Sequence, residues 1–88
     1  MNHIPYIDAI LSSNVILRKF DENVDPIELM WHRDEEDRVI ESLYPTDWQF
    51  QFENELPKEI SGPIFIPKYV WHRLIKGTED LTLIIEKT

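Results

Sequence analysis

The sequence predicts an all-β domain, a sandwich or barrel of some seven or eight short strands. Three observations carry that reading. Trp48-Gln49-Phe50-Gln51-Phe52-Glu53 alternates apolar and polar residues, the period of a half-buried strand. Turn-forming Pro, Gly, Asn, Asp and Ser punctuate the rest of the chain at short intervals. No long amphipathic helical stretch separates the apolar runs, which argues against a βαβ arrangement.

In chain order, Tyr6 to Ser12 carries apolar residues at helical spacing and reads as a short N-terminal helical turn ending at Ser13-Asn14. Val15 to Phe20 reads as a strand, Asp21 to Pro26 as a polar turn, and Ile27 to Arg33 as a second strand. Asp34 to Asp37 reads as a tight acidic, solvated loop, followed by a strand from Arg38 to Tyr44 that turns at Pro45-Thr46-Asp47. Trp48 to Glu53 places Trp48, Phe50 and Phe52 on a core face and Gln49, Gln51 and Glu53 on a polar one. Lys58 to Ile60, Ile64 to Ile66, Val70 to Ile75 and Leu81 to Glu86 complete the strands, separated by Ser61-Gly62-Pro63, Pro67 and Gly77-Thr78.

Eighty-eight residues make one domain over 1–88, with its core over 14–87. An apolar fraction of 42%, with three Trp, three Tyr and four Phe, suffices for a core and argues against disorder. Cysteine is absent, which excludes disulfides and thiolate sites and suits a reducing, cytoplasmic compartment. No apolar run approaches the roughly 20 residues of a membrane span, and Met1 to Pro5 does not read as a signal peptide. A net charge of −8 without a basic stripe argues against nucleic-acid binding.

The most informative feature is a duplicated tripeptide, Trp31-His32-Arg33 and Trp71-His72-Arg73, which supplies two of the chain's three histidines. If both stretches are strands that present histidine to the same side, two imidazoles converge. Asp34 lies two residues after His32, on the same side of an extended chain, so imidazole and carboxylate can grip one ion. His32, Asp34 and His72 together form the two-histidine, one-carboxylate set that holds Fe(II), and that also suits Zn(II), Mn(II) or Ni(II). In the alternative, Asp34 caps its own acidic turn and both histidines bond to backbone. His3 receives no role.

From Ile27 to Ile85 the chain resembles a small single-domain cupin of the jelly-roll class. His32-Arg33-Asp34-Glu35-Glu36-Asp37-Arg38 matches the family's first motif in its opening histidine and spacing. Ile64 to Leu74 matches the second in Pro67, the apolar residues before it, and His72 five residues after. The resemblance implies a double-stranded β-helix, with His32 and His72 in the positions of metal-binding histidines and Asp34 in that of another. Several residues depart from the pattern. Arg38 stands at the family's glutamate ligand, Tyr69 at the glycine of Pro-x-Gly, and Lys76 where asparagine is usual.

Arg38 is expected to face inward, and an inward guanidinium needs a partner. That partner is either an internal carboxylate, Asp34 or Glu28, or an acidic ligand held bidentately. Trp31 and Trp71 are expected to point away from the histidines, packing against a second layer or a partner subunit. Covering them and the sheet edges would favour a homodimer. The function classes left open are a metal-binding cupin acting on or sensing a small acidic molecule, and a metal-free small-molecule or protein-interaction module. A 2-oxoglutarate-type oxygenase shares the His-x-Asp and distal His, but is generally much longer.

Overall fold

A computed structural model describes residues 5–88, apart from the side chain of Glu28. It is a two-sheet antiparallel β structure. The strands are β1 (Tyr6–Ile10), β2 (Val15–Phe20), β3 (Arg38–Ser42), β4 (Gln49–Phe52), β5 (Lys58–Glu59), β6 (Ile64–Ile66), β7 (His72–Ile75) and β8 (Leu81–Lys87). One sheet has the order β1-β2-β8-β3-β6 and the other β5-β4-β7, so sequence neighbours are repeatedly separated by crossovers between sheets. This is the jelly-roll pattern, and the expected all-β fold is observed. None of the described helices is long and apolar enough to cross a membrane.

The alternation along each strand decides what the sheets enclose. Ile16 and Phe20 of β2, Ile40 of β3, Ile64 and Ile66 of β6, and Leu81, Leu83 and Ile85 of β8 are buried from the larger sheet. Trp48 and Phe50 meet them from the smaller one and are fully buried. Each such aromatic contributes about 1.5–3 kcal/mol by leaving water. The intervening residues point out, as Phe65 does between Ile64 and Ile66.

Two elements differ from the sequence reading. Tyr6–Ile10 is a strand and not a helical turn. It pairs residue for residue with β2, from Tyr6 opposite Phe20 to Ile10 opposite Ile16, and so carries the sheet beyond the 14–87 core. Ladder bonds with a neighbour outweigh the weak helical periodicity of five residues. Ile27 to Arg33 is not a strand. Asp25 caps a single 3-10 turn over Pro26–Glu28, accepting from the Ile27 N–H at 3.0 Å, with proline at the first position. Only His32 of that stretch enters a β-bridge, opposite His72.

The acidic loop is anchored rather than merely solvated. The Asp37 carboxylate accepts from the Lys68 N–H at 2.8 Å, its carbonyl accepts from the Thr88 N–H at 3.0 Å, and the Asp34 carbonyl accepts from the Tyr69 N–H at 2.7 Å. Both flanks of the loop are therefore tied to the β6–β7 turn and to the end of the chain.

At the turn before β4, Asp47 accepts from the Thr78 N–H at 3.0 Å and from its hydroxyl at 2.7 Å. These bonds hold its carboxyl below the ordinary value of 3.8. Gly77 passes so close that a Cβ there would fall 2.8 Å from the Trp48 backbone nitrogen. The depressed value fixes the sign of the pH effect. The contribution of Asp47 is present above 3.8 and is lost as pH falls through the lower native value. Asp47→Ala should lower the melting temperature at pH 7, and the gap from wild type should close as the pH drops below 3.8, measured by thermal melts across pH.

Candidate metal centre

The duplicated tripeptide pairs with itself. His32 N–H donates to the His72 carbonyl at 3.0 Å, and His72 N–H returns the bond to His32 at 2.9 Å. Residues directly opposite in such a pair point to the same face. The two imidazoles therefore lie together, with ring centroids 4.3 Å apart. Antiparallel register sets Trp31 against Arg73 and Trp71 against Arg33 on the other face. The Arg73 guanidinium lies 4.7 Å from the Trp31 ring, and that of Arg33 lies 5.1 Å from the Trp71 ring. The two tryptophans do point away from the histidines, as expected.

His72 is buried, and its ring stacks on Phe50 at 5.6 Å. His32 sits at the solvent side of the pair. Each ring nitrogen Nδ1 approaches a backbone carbonyl two residues upstream, Val70 for His72 at 2.8 Å and Met30 for His32 at 3.3 Å. A carbonyl can only accept, so Nδ1 carries the proton. In the neutral rings Nε2 is then a bare donor atom, the tautomer that a metal-ligating histidine requires. Although the residue as a whole is exposed, its ring packs on that of His72, and this partial loss of water is the main cause that holds His32 below the ordinary imidazole value of 6.5, with the charge of His72 adding to it.

Asp34 completes the group. One ligand atom from each of His32, Asp34 and His72 lies within 4.8 Å of the others. Asp34 Oδ2 is 3.3 Å from His72 Nε2. With His72 neutral these are two acceptors facing each other, and Oδ2 is buried without a hydrogen-bond partner. A charged His72 would satisfy it instead. Burial pushes the Asp34 carboxyl up, but the His72 contact and the charges of Arg38 and His32 outweigh this and hold it below 3.8. The donor set thus fits a divalent ion: two nitrogens in the correct tautomer and an orphaned carboxylate oxygen.

Arg38 faces inward, as the sequence suggested, between two carboxylates: Asp34, which the sequence offered as a partner, and Glu36, which it did not. Nε and Nη2 donate to Glu36 Oε1 at 3.0 and 2.8 Å, while Nη1 stands 3.4 Å from Asp34 Oδ1. Glu28, considered as a partner from the sequence, has its side chain outside the described residues. A second inward arginine was missed altogether. Arg18 lies between buried Ile16 and Phe20 on β2 and lines the same cleft as His32, Asp34 and Arg38. The period of two from Ile16 to Phe20 is the signal that could have found it.

Tyr69 adopts a positive φ of 65°, the left-handed conformation that favours glycine, and its N–H holds the Asp34 carbonyl. Its strain explains why glycine is the residue of the resembling motif. Left-handed backbone costs a side-chain-bearing residue about 1–2 kcal/mol, which exceeds the roughly 0.5–1 kcal/mol of extra chain entropy that glycine brings. Tyr69→Gly should raise the melting temperature by a few degrees, and a drop in a calorimetric scan would contradict this account of the turn.

No family model matches the sequence, and no curated protein matches it either. Solved structures do match in fold. A cupin-2 domain containing protein from Shewanella frigidimarina is 21% identical with a TM-score of 0.66, over 100% of this chain and 84% of that one. A cupin domain from Bordetella pertussis is 16% identical with a TM-score of 0.61, over 100% of this chain and 98% of that one. Fe(II)-HppE with an alternative substrate is 16% identical with a TM-score of 0.63, over 94% of this chain but only 48% of that one. The chain is a small cupin-like domain in fold.

Proposed function

We propose that this cupin-like domain binds a divalent metal ion through His32, Asp34 and His72, and takes a small acidic molecule in the adjoining cleft. One observation carries the reading: His72, tethered through Nδ1, sets its Nε2 3.3 Å from Asp34 Oδ2, a buried oxygen with no hydrogen-bond partner, and a ring nitrogen of His32 completes a group whose ligand atoms lie within 4.8 Å of one another. A neighbour of the same fold, HppE, carries Fe(II), which is consistent with a metal in such a barrel. Fe, Zn, Mn and Ni all suit the donor set. A bound ion would supply Lewis acidity. Arg38 lines the cleft and supplies the positive charge that favours an acidic ligand. The lack of cysteine suits the cytoplasm.

A metal-free binding or interaction module is the second reading, favoured by the approach of Arg38 to Asp34 at 3.4 Å. In it, Arg38 and a charged His72 share the carboxylate. Metal content separates the two. The wild type should hold close to one Zn(II) per chain by mass spectrometry of metals after saturation and desalting, and His32→Ala and His72→Ala should each lose at least nine-tenths of it. Because His32 is exposed, its variant should keep the wild-type circular dichroism. Metal-free wild type, or retention in both variants, refutes the metal reading.

We also propose a homodimer. The exposed side chains Ile7 and Ile10 on edge strand β1, and Phe65 on edge strand β6, support it. Light scattering after size exclusion should give twice the 10.6 kDa chain mass, and a monomer at high concentration overturns the proposal.

A further inference from the structure

His32, Asp34 and Arg38 share a cleft of about 340 Å³ with Arg18 and with the apolar side chains of Phe20, Leu29, Met30 and Leu74. Arg18 is the anomaly of this cleft. It sits on the inner face of β2, where its neighbours in the alternation are core residues, and its side chain is only 13% exposed. An inward guanidinium is costly unless paired. Asp8, directly opposite on β1, meets that need: its two carboxylate oxygens accept from Nε at 2.8 Å and Nη2 at 2.9 Å. The Tyr6 ring lies 3.7 Å from the guanidinium carbon.

This arrangement fixes Arg18 without using it up. The fork to Asp8 occupies the Nε–Nη2 edge of a planar group that has five N–H donors. Among the described residues, Nη1 makes no hydrogen bond. Two edge-strand side chains, Asp8 and Tyr6, therefore hold a guanidinium at the wall of a largely apolar cleft with an edge to spare. Arg38 is more fully engaged, because Glu36 takes its Nε and Nη2 and Asp34 stands near its Nη1. The freer cation of the cleft is the one on β2.

We infer that Arg18 is the anion anchor of the cleft, and that the ligand is an amphipathic organic anion. Its oxyanion head, a carboxylate or a phosphate, takes the Nη1 edge of Arg18. Its apolar body lies against Phe20, Leu29, Met30 and Leu74. This deepens the small-acidic-molecule reading above, and rests on the metal reading only for what the ligand meets beyond its anchor. Apolar walls disfavour bare inorganic anions, and the guanidinium disfavours neutral apolar molecules.

Isothermal titration of the full chain, saturated with Zn(II), tests the inference with four probes: hexanoate, hexyl phosphate, acetate and 1-hexanol. At least one of the two six-carbon anions should bind ten times more tightly than both acetate and 1-hexanol, and which one it is identifies the head group. Arg18→Gln should weaken that anion at least tenfold, while Asp8→Asn, which keeps one oxygen to hold Arg18 and removes the competing negative charge, should not weaken it. A merely structural Arg18–Asp8 pair would make the two variants behave alike. Equal binding of 1-hexanol, or no binding of any probe, overturns the anchor on the wild type alone. Unchanged binding in Arg18→Gln does so too. Metal content read on the same samples keeps the two proposals apart. Anion binding lost in Arg18→Gln without any metal uptake upholds the anchor and sinks the metal centre, whereas metal uptake without anion binding sinks the anchor alone.

Discussion

The reciprocal backbone bonds between His32 and His72 are the constraint on which the site depends. They join the segment leading into β3, a strand of the larger sheet, to β7 of the smaller one, and so tie together parts of the chain forty residues apart. The same two bonds fix side-chain direction. In a directly opposed antiparallel pair both side chains fall on one face, so the imidazoles are brought together by register alone. A slip of one residue would put tryptophan and arginine into the cavity and histidine into solvent. The outer face resists that slip, because each arginine already lies over the opposite tryptophan.

The duplicated tripeptide is thus explained by antiparallel pairing with itself. Tryptophan before histidine on one strand meets arginine after histidine on the other, and one sequence serves both partners. This also reconciles the two readings of the histidines that the sequence left open. They do bond to backbone, through Nδ1. That bond leaves Nε2 bare, so the structural role and the proposed ligand role occupy opposite ends of the same ring. Asp34 does not cap its own turn with its carboxylate. Its carbonyl accepts from Tyr69, and the carboxylate is left to face His72 and Arg38.

What the sequence disclosed followed from burial on one face. Trp48 to Phe52 alternates because one side of β4 is core, and it was legible for that reason. Tyr6–Ile10 lies at a sheet edge with four of its five residues exposed, so no alternation was imposed on it and its apolar residues passed for helical spacing. Ile27 to Arg33 has strand-forming residues, yet the Asp25 cap and Pro26 select a 3-10 turn over its first two residues. His32, Asp34 and His72, which the structure brings together, were singled out from type and spacing. Glu36 was not, because its role is to hold Arg38 through a contact within a loop that has no period to read.

Glu36 has a consequence for the centre as a whole. Arg38 and a metal ion would compete for Asp34, since each is a cation beside one carboxylate. The distances rank the contacts. At 2.8 and 3.0 Å, the Glu36 bonds are of ordinary charge-assisted length, whereas 3.4 Å from Nη1 to Asp34 is long for a hydrogen bond. Glu36 therefore takes the preferred edge of the guanidinium and restrains it from closing on Asp34. Arg38 still lowers the Asp34 pKa through space and favours the ionised carboxylate that a metal requires. An arginine in the position of a ligand would ordinarily repel a cation. Held back by Glu36, it instead keeps the carboxylate charged while leaving Oδ2 without a hydrogen bond, facing the His72 imidazole.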